Sequence, residues 1–162
     1  MRIRTAIAAG CAALAVATCT AGLADAATAH AANSPRIPAS VRVVTITPVF
    51  GVSRNNGEAG GPRDRPVTVT GKATVAKIAG LIDALPKMPP GIFECPLSTG
   101  QALVLTFRAT TGGPELAVVN SEMTGCGTVA LVVGGKRMPL LWGGRKLDQR
   151  VLELAGIHWP GF

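Results

Sequence analysis

The chain has 162 residues, with 16 Lys and Arg against 9 Asp and Glu for a formal charge of +7. Only 15% of the residues are charged while 48% are apolar, which excludes a charge-driven disordered chain and a coiled coil. No internal repeat is present, so a solenoid is excluded too, and the length fits a single domain.

Met1 to Arg4 carries two arginines, Arg2 and Arg4, and Thr5 to Gly22 is an Ala-rich apolar run followed by small residues from Ala24 to Ala29. That order predicts a secretory signal over residues 1–32, cleaved between Ala26 and Ala32, and hence a secreted, extracellular protein. Ile3 separates the two arginines, which favours the general export route over the twin-arginine one. Val16-Ala17-Thr18-Cys19 resembles the lipobox of bacterial lipoproteins, with Thr18 where Gly or Ala is usual. Lipidation at Cys19, anchoring the protein at the outer face of the cell membrane, is therefore the alternative to plain cleavage. Cleavage after Ala32 would remove Arg2, Arg4 and Asp25, so the charge of +7 falls by one to +6. Residues 33–40 are then expected as a flexible N-terminal linker and 41–162 as one domain.

Of the four cysteines, Cys11 and Cys19 leave with the signal, and Cys95 and Cys126 enter an oxidising compartment. A remaining even pair is expected to bridge there, closing a loop of about 32 residues worth about 3–4 kcal/mol in the chain-entropy model. A redox pair would be spaced Cys-x-x-Cys, and a zinc site would need four ligands where only His158 could add a third N or S donor. No metal or cofactor is expected.

Val41 to Val49 and Val67 to Thr70 are rich in β-branched residues and predict strands. Between them Gly51 to Pro66 holds four glycines, two asparagines and five charges, a composition that predicts a long mobile loop over 51–66. From Lys72 to Leu85, Val75, Ile78, Ile82 and Leu85 fall at helical spacing, with Thr70 as the candidate N-cap and Pro86 as the stop. Lys72, Lys77 and Asp83 are expected toward solvent. Pro86 to Gly100 contains four prolines and Cys95 and reads as a stapled crossover loop.

Gln101 to Ala109 alternates strictly, putting Leu103, Leu105 and Phe107 on one face and Ala102, Val104, Thr106 and Arg108 on the other. Thr111-Gly112-Gly113-Pro114 turns the chain into a strand from Glu115 to Val119. Gly127 to Val133 leads through Gly134-Gly135, a strong hairpin signal, into Lys136 to Trp142. Pro139 cannot donate to a ladder, so that last strand is expected at an edge or with a bulge. A second helix follows from Arg145 to Ala155 with the stripe Leu147, Val151, Leu154 and a stop at Gly156. Hairpin strands without strict strand–helix alternation predict an α+β domain: an antiparallel sheet of about five to six strands, covered on one face by two helices.

Cys95-Pro96, the strand segment Leu105-Thr106-Phe107-Arg108, then Gly125-Cys126-Gly127-Thr128-Val129, a Gly-Gly turn and Leu141-Trp142 together resemble a group of small actinobacterial secreted and lipoprotein-type proteins of unknown function. The likeness spans residues 65–160 and brings no activity with it. Relatives of that group often open the first helix with Asp-Pro, where this chain has Gly71-Lys72.

Catalytic patterns are sparse. One histidine, His158, follows the signal, no serine stands in a Gly-x-Ser-x-Gly setting, and Asp64, Asp83, Glu94, Glu115, Glu122 and Asp148 are scattered, so a hydrolase triad is unsupported and the carboxylates are expected solvated or ion-paired. His158-Trp159 is expected as part of a C-terminal clasp over the core. The chain is read as a non-enzyme. Arg63 and Arg65, Lys136 and Arg137, and Arg145 and Lys146 form three basic clusters suited to an anionic surface. Six aromatics without a stacking series argue against nucleic acid. The expected function is thus an exported, non-catalytic cell-envelope interaction module. Its partner would be anionic cell wall, a membrane surface or an extracellular protein. The alternative is a secreted protease inhibitor presenting loop 86–100 as rigid bait, carried by the loop's staple and not by a match to a known reactive segment.

Overall fold

The structure, a computed structural model, describes residues 36–49 and 65–158. The expected signal over 1–32 with Cys19, the start of the linker, Arg63 with most of loop 51–66, and Trp159 lie outside the described residues. The elements run β1 Val43–Val49, β2 Val67–Val69, α1 Lys72–Asp83, β3 Ala102–Arg108, β4 Glu115–Glu122, β5 Thr128–Val133, β6 Lys136–Arg137, β7 Leu141–Trp142 and α2 Gly144–Ala155. The sheet has seven strands in the order β2-β1-β3-β4-β5-β6, with β7 also on β5, and every pairing is antiparallel. This is the α+β arrangement the hairpin-rich pattern predicts.

Period-two alternation decides which face is buried. Val44 and Ile46 of β1, Leu103, Leu105 and Phe107 of β3, Val119 of β4 and Leu131 of β5 point into one core with Val75, Ile78 and Ile82 of α1 and Leu147, Val151 and Leu152 of α2. The opposite face carries partly exposed Thr45, Thr106 and Val118, which lie in one row across the sheet. Leu152 takes the deeper place that the helical stripe had given to Leu154, which is only partly buried.

The two helices are seated differently. At the start of α1 the N-cap position is Gly71, with no side-chain cap, so Thr70 does not serve as the expected cap. Its other end is closed by residues assigned to the linker. The Arg36 guanidinium donates to the carbonyls of Ile82 (3.1 Å) and Leu85 (2.9 Å), satisfying acceptors that a helix C-terminus leaves open. In return, the Asp83 carboxylate accepts from the backbone N–H groups of Arg36 (2.7 Å) and Ile37 (3.0 Å). Ile37 is 3% exposed. Arg36 and Ile37, which fall within the expected linker over 33–40, are held on the helix end by these backbone hydrogen bonds to Asp83, itself expected in solvent.

At α2 the entry is set by close approach. Gly143 has φ +112°, a conformation L side chains rarely adopt. The Gly144 N–H donates to the Gly127 carbonyl at 2.8 Å. A Cβ on Gly144 would stand 2.9 Å from the carbonyl oxygens of both Glu122 and Gly127. The helix therefore rests directly on the backbone of β4 and β5. After the Gly134-Gly135 turn, whose residues have φ +54° and +78°, the expected single strand is split. Four residues of β5, from Val132 to Val129, face five from Arg137 to Leu141. That extra residue is a bulge at the segment holding Pro139, which has no N–H for the ladder. β4 also runs three residues past its expected end at Val119, because the ladder with β3 continues to Ala102.

Gly144→Ala is expected to cost about 2–3 kcal/mol by overpacking against fixed backbone. Gly80→Ala, in the middle of α1 with nothing within 4 Å of the new Cβ, is expected to stabilise by about 0.5–1 kcal/mol. Urea unfolding of both variants measures this, and equal effects would contradict the seating described.

Candidate functional site

The segment between α1 and β3 has almost no regular structure, yet it is pinned along its length. At its start the Met88 N–H donates to the Leu140 carbonyl (2.8 Å) and the Trp142 N–H to the Pro86 carbonyl (2.9 Å), with Lys87 bridging to Leu141. Further on, the Phe93 ring packs against Trp142 with centroids 5.2 Å apart. Cys95 is then bonded to Cys126, with Cα atoms 4.9 Å apart and a sequence separation of 31, which is the disulfide expected from cysteine parity. Four residues later, the Thr99 N–H and hydroxyl both donate to the Thr124 hydroxyl oxygen, at 3.0 and 3.2 Å.

The last two ties define a small arch. Cys95 and Thr99 are held by Cys126 and Thr124, residues that flank a single glycine. Gly125 has φ +68°, and a Cβ there would meet the Ser98 Cβ at 3.1 Å. The left-handed glycine thus lets Ser98 lie close on the 124–126 turn. Pro96, Leu97 and Ser98 span between the two anchors, with Pro96 fixing its own φ and biasing Cys95 toward extended backbone. Ser98 also accepts from the Gly100 N–H at 3.3 Å. Among the described residues, no backbone–backbone hydrogen bond is made by 89–98, so the main chain of the arch presents open donors and acceptors. Leu97 is 89% exposed and Ile92 fully exposed. Of the five large apolar side chains exposed among the described residues, two belong to this loop and Leu140 to the segment that pins it. Isolated exposed apolar residues are ordinary on a surface; Leu97 differs in being set at the centre of a short span anchored at both ends.

The basic residues fall at separate places on the sheet. Lys136 and Arg137 are exposed and pair with the end of β5 at Val133 and Val132. Arg145 and Lys146, also exposed, follow β7, which pairs with the start of β5 at Thr128 and Val129. Four residues of strand separate those positions, about 13 Å. Arg65 precedes β2 at the other edge of the sheet, five strand spacings or about 24 Å from β6. The topology brings these clusters to different edges and ends. His158 is exposed, and among the described residues no group of three or more His, Cys, Asp or Glu converges to hold a metal ion.

One carboxylate departs from the expected solvated state. Asp148, on α2, is fully buried with Ser121 of β4, and neither its oxygens nor the Ser121 hydroxyl finds a hydrogen-bond partner. Desolvation pushes its pKa up to about 7; the Ser121 hydroxyl beside it, without the geometry of a hydrogen bond, opposes the rise only in part. The sequence signal was present but slight: Asp148 follows Leu147 and precedes Val151 at the spacing of the buried stripe. Its consequence is for stability.

Comparison with protein-family models, curated proteins and solved structures finds no match to this chain.

Because the folded-state pKa of Asp148 is raised above its ordinary 3.8, its contribution to stability is fully present below that value and is lost as pH climbs toward 7. The loss amounts to about 4 kcal/mol. Asp148→Asn is expected to match the parent protein in urea unfolding at pH 4 and to exceed it by several kcal/mol at pH 8. Identical curves at pH 8 would contradict a buried, unpaired carboxylate.

Proposed function

We propose that the protein is an exported inhibitor of endoproteases that presents loop 86–100 to the enzyme cleft. The observation that supports this reading is the arch: three residues braced at both ends on Thr124 to Cys126, with unpaired main chain and an exposed apolar side chain at its centre. A protease cleft binds its peptide in extended form through main-chain hydrogen bonds, adding it as a strand, and sorts side chains by pocket. A segment already held at both ends gives up little conformational entropy on binding, which is how rigid loops gain affinity. The disulfide is compatible with an oxidising, extracellular setting. No catalytic role is assigned to any residue.

A second reading, the envelope module, is favoured by the exposure of Lys136, Arg137, Arg145 and Lys146, which make no ion pair among the described residues. Their placement at opposite ends of β5 sets it below the first, since no single patch is formed.

Titration of a subtilisin-like, a chymotrypsin-like and a trypsin-like protease with the purified protein is the test. Inhibition of at least one at or below about 1 µM is expected, the range of a specific interface. No inhibition of any at tenfold higher concentration would overturn the reading.

A further inference from the structure

We infer that Leu97 is the specificity-determining residue of this loop and that the target is a serine endoprotease with an apolar primary pocket. The inference rests on the inhibitor reading above and adds to it which side chain enters the enzyme and what kind of pocket receives it.

Two apolar side chains on the loop are exposed enough to enter a pocket, Ile92 and Leu97, and their settings differ. Ile92 follows Gly91, whose φ is +145°, and its own backbone has no tie on the N-terminal side nearer than Met88. Glycine before Ile92 leaves its N-terminal side less restrained than the arch, while Phe93 after it packs on Trp142, and β-branching stiffens Ile at χ1. Leu97 lies midway between the two anchors of the arch, two residues after Cys95 and two before Thr99. Pro96 restricts the backbone on one side, and on the other Ser98 lies against Gly125. The arch therefore projects Leu97 outward from a fixed base, the position a primary pocket reads. The unbranched Cβ of Leu lets the side chain extend straight into such a pocket.

Pocket chemistry follows from the side chain. A pocket with a buried carboxylate selects a cation, a hydrophobic slot selects a large apolar group, and a narrow one selects a small residue. Leu97 fits the hydrophobic slot. Burying a Leu side chain that is otherwise in water is favourable, and in this loop no neighbour covers it. The Leu97–Ser98 peptide would then lie at the enzyme's nucleophile, on a segment the 124–126 turn keeps from relaxing.

The test compares the parent protein with Leu97→Lys, Leu97→Gly and Ile92→Lys against subtilisin-like, chymotrypsin-like and trypsin-like enzymes. All three substitutions are at exposed positions and are expected to leave the thermal unfolding midpoint unchanged. Leu97→Gly is expected to weaken inhibition of the apolar-pocket enzymes by about 100-fold. Leu97→Lys is expected to transfer inhibition to the trypsin-like enzyme, and Ile92→Lys to leave the pattern unchanged. If the parent inhibits but the Leu97 variants behave as the parent does, the assignment of Leu97 is overturned while the inhibitor reading stands. If the parent inhibits none of the three, both fall.

Discussion

The bond between Cys95 and Cys126 ties a stretch without regular structure to the turn between two central strands. Without it, the residues from Pro86 to Gly100 would be joined to the sheet only by the hydrogen bonds near Pro86, one aromatic contact and the Thr99 to Thr124 pair. Exposed hydrogen bonds of this kind exchange readily with water and hold a segment weakly. The covalent tie removes from the unfolded ensemble conformations that the loop would otherwise recover, a gain that grows with the length of chain enclosed. It also sets where the arch can go, because Cys126 follows Gly125, whose left-handed backbone brings the turn close against Ser98. The remaining features of the candidate site, its exposed leucine and its unpaired main chain, acquire a definite position only through that anchorage.

The platform is itself held by the second helix. Gly127, directly after Cys126, accepts the Gly144 N–H, and α2 lies against the ends of β4 and β5 closely enough to exclude a side chain at Gly144. Asp148 is carried into the interior by this seating, since it lies one turn into a helix whose N-terminus is pressed onto the strands. A buried carboxylate beside an unpartnered serine is a cost in stability at neutral pH. The fold tolerates it with a core in which both helices and five strands contribute side chains. Arg36 and Asp83 exchange hydrogen bonds that close the end of α1, which lies beside the entry to α2, where Leu85 approaches Gly143.

Much of this architecture was legible in the sequence. Strict alternation from Ala102 to Arg108, the Gly134-Gly135 turn and the spacing of Val75, Ile78 and Ile82 each specify local geometry through a single physical rule. Cysteine parity pointed to the bridge, and four prolines marked the crossover it staples. What could not be read were contacts between residues distant in the chain. Asp83 looked solvated because nothing in its own helix reveals that Arg36, 47 residues earlier, would reach it. Asp148 looked like any scattered carboxylate because burial is set by how α2 meets β4. The two ties of the arch needed Thr124 and Cys126 to be placed on either side of a left-handed glycine, and a glycine between them gives no sign in sequence of its φ. The basic clusters could be imagined together because charge is visible in sequence while strand order is not.

If the braced arch is the structural fact on which function depends, the disulfide should protect it. Limited digestion by a broad-specificity protease, followed by mass spectrometry of the fragments, compares the oxidised chain with a Cys95→Ser, Cys126→Ser variant whose fold is checked by circular dichroism. The account predicts that the oxidised protein stays intact between Ile92 and Ser98 while the folded variant is cut there rapidly. Equal cutting of the two within that segment would contradict it.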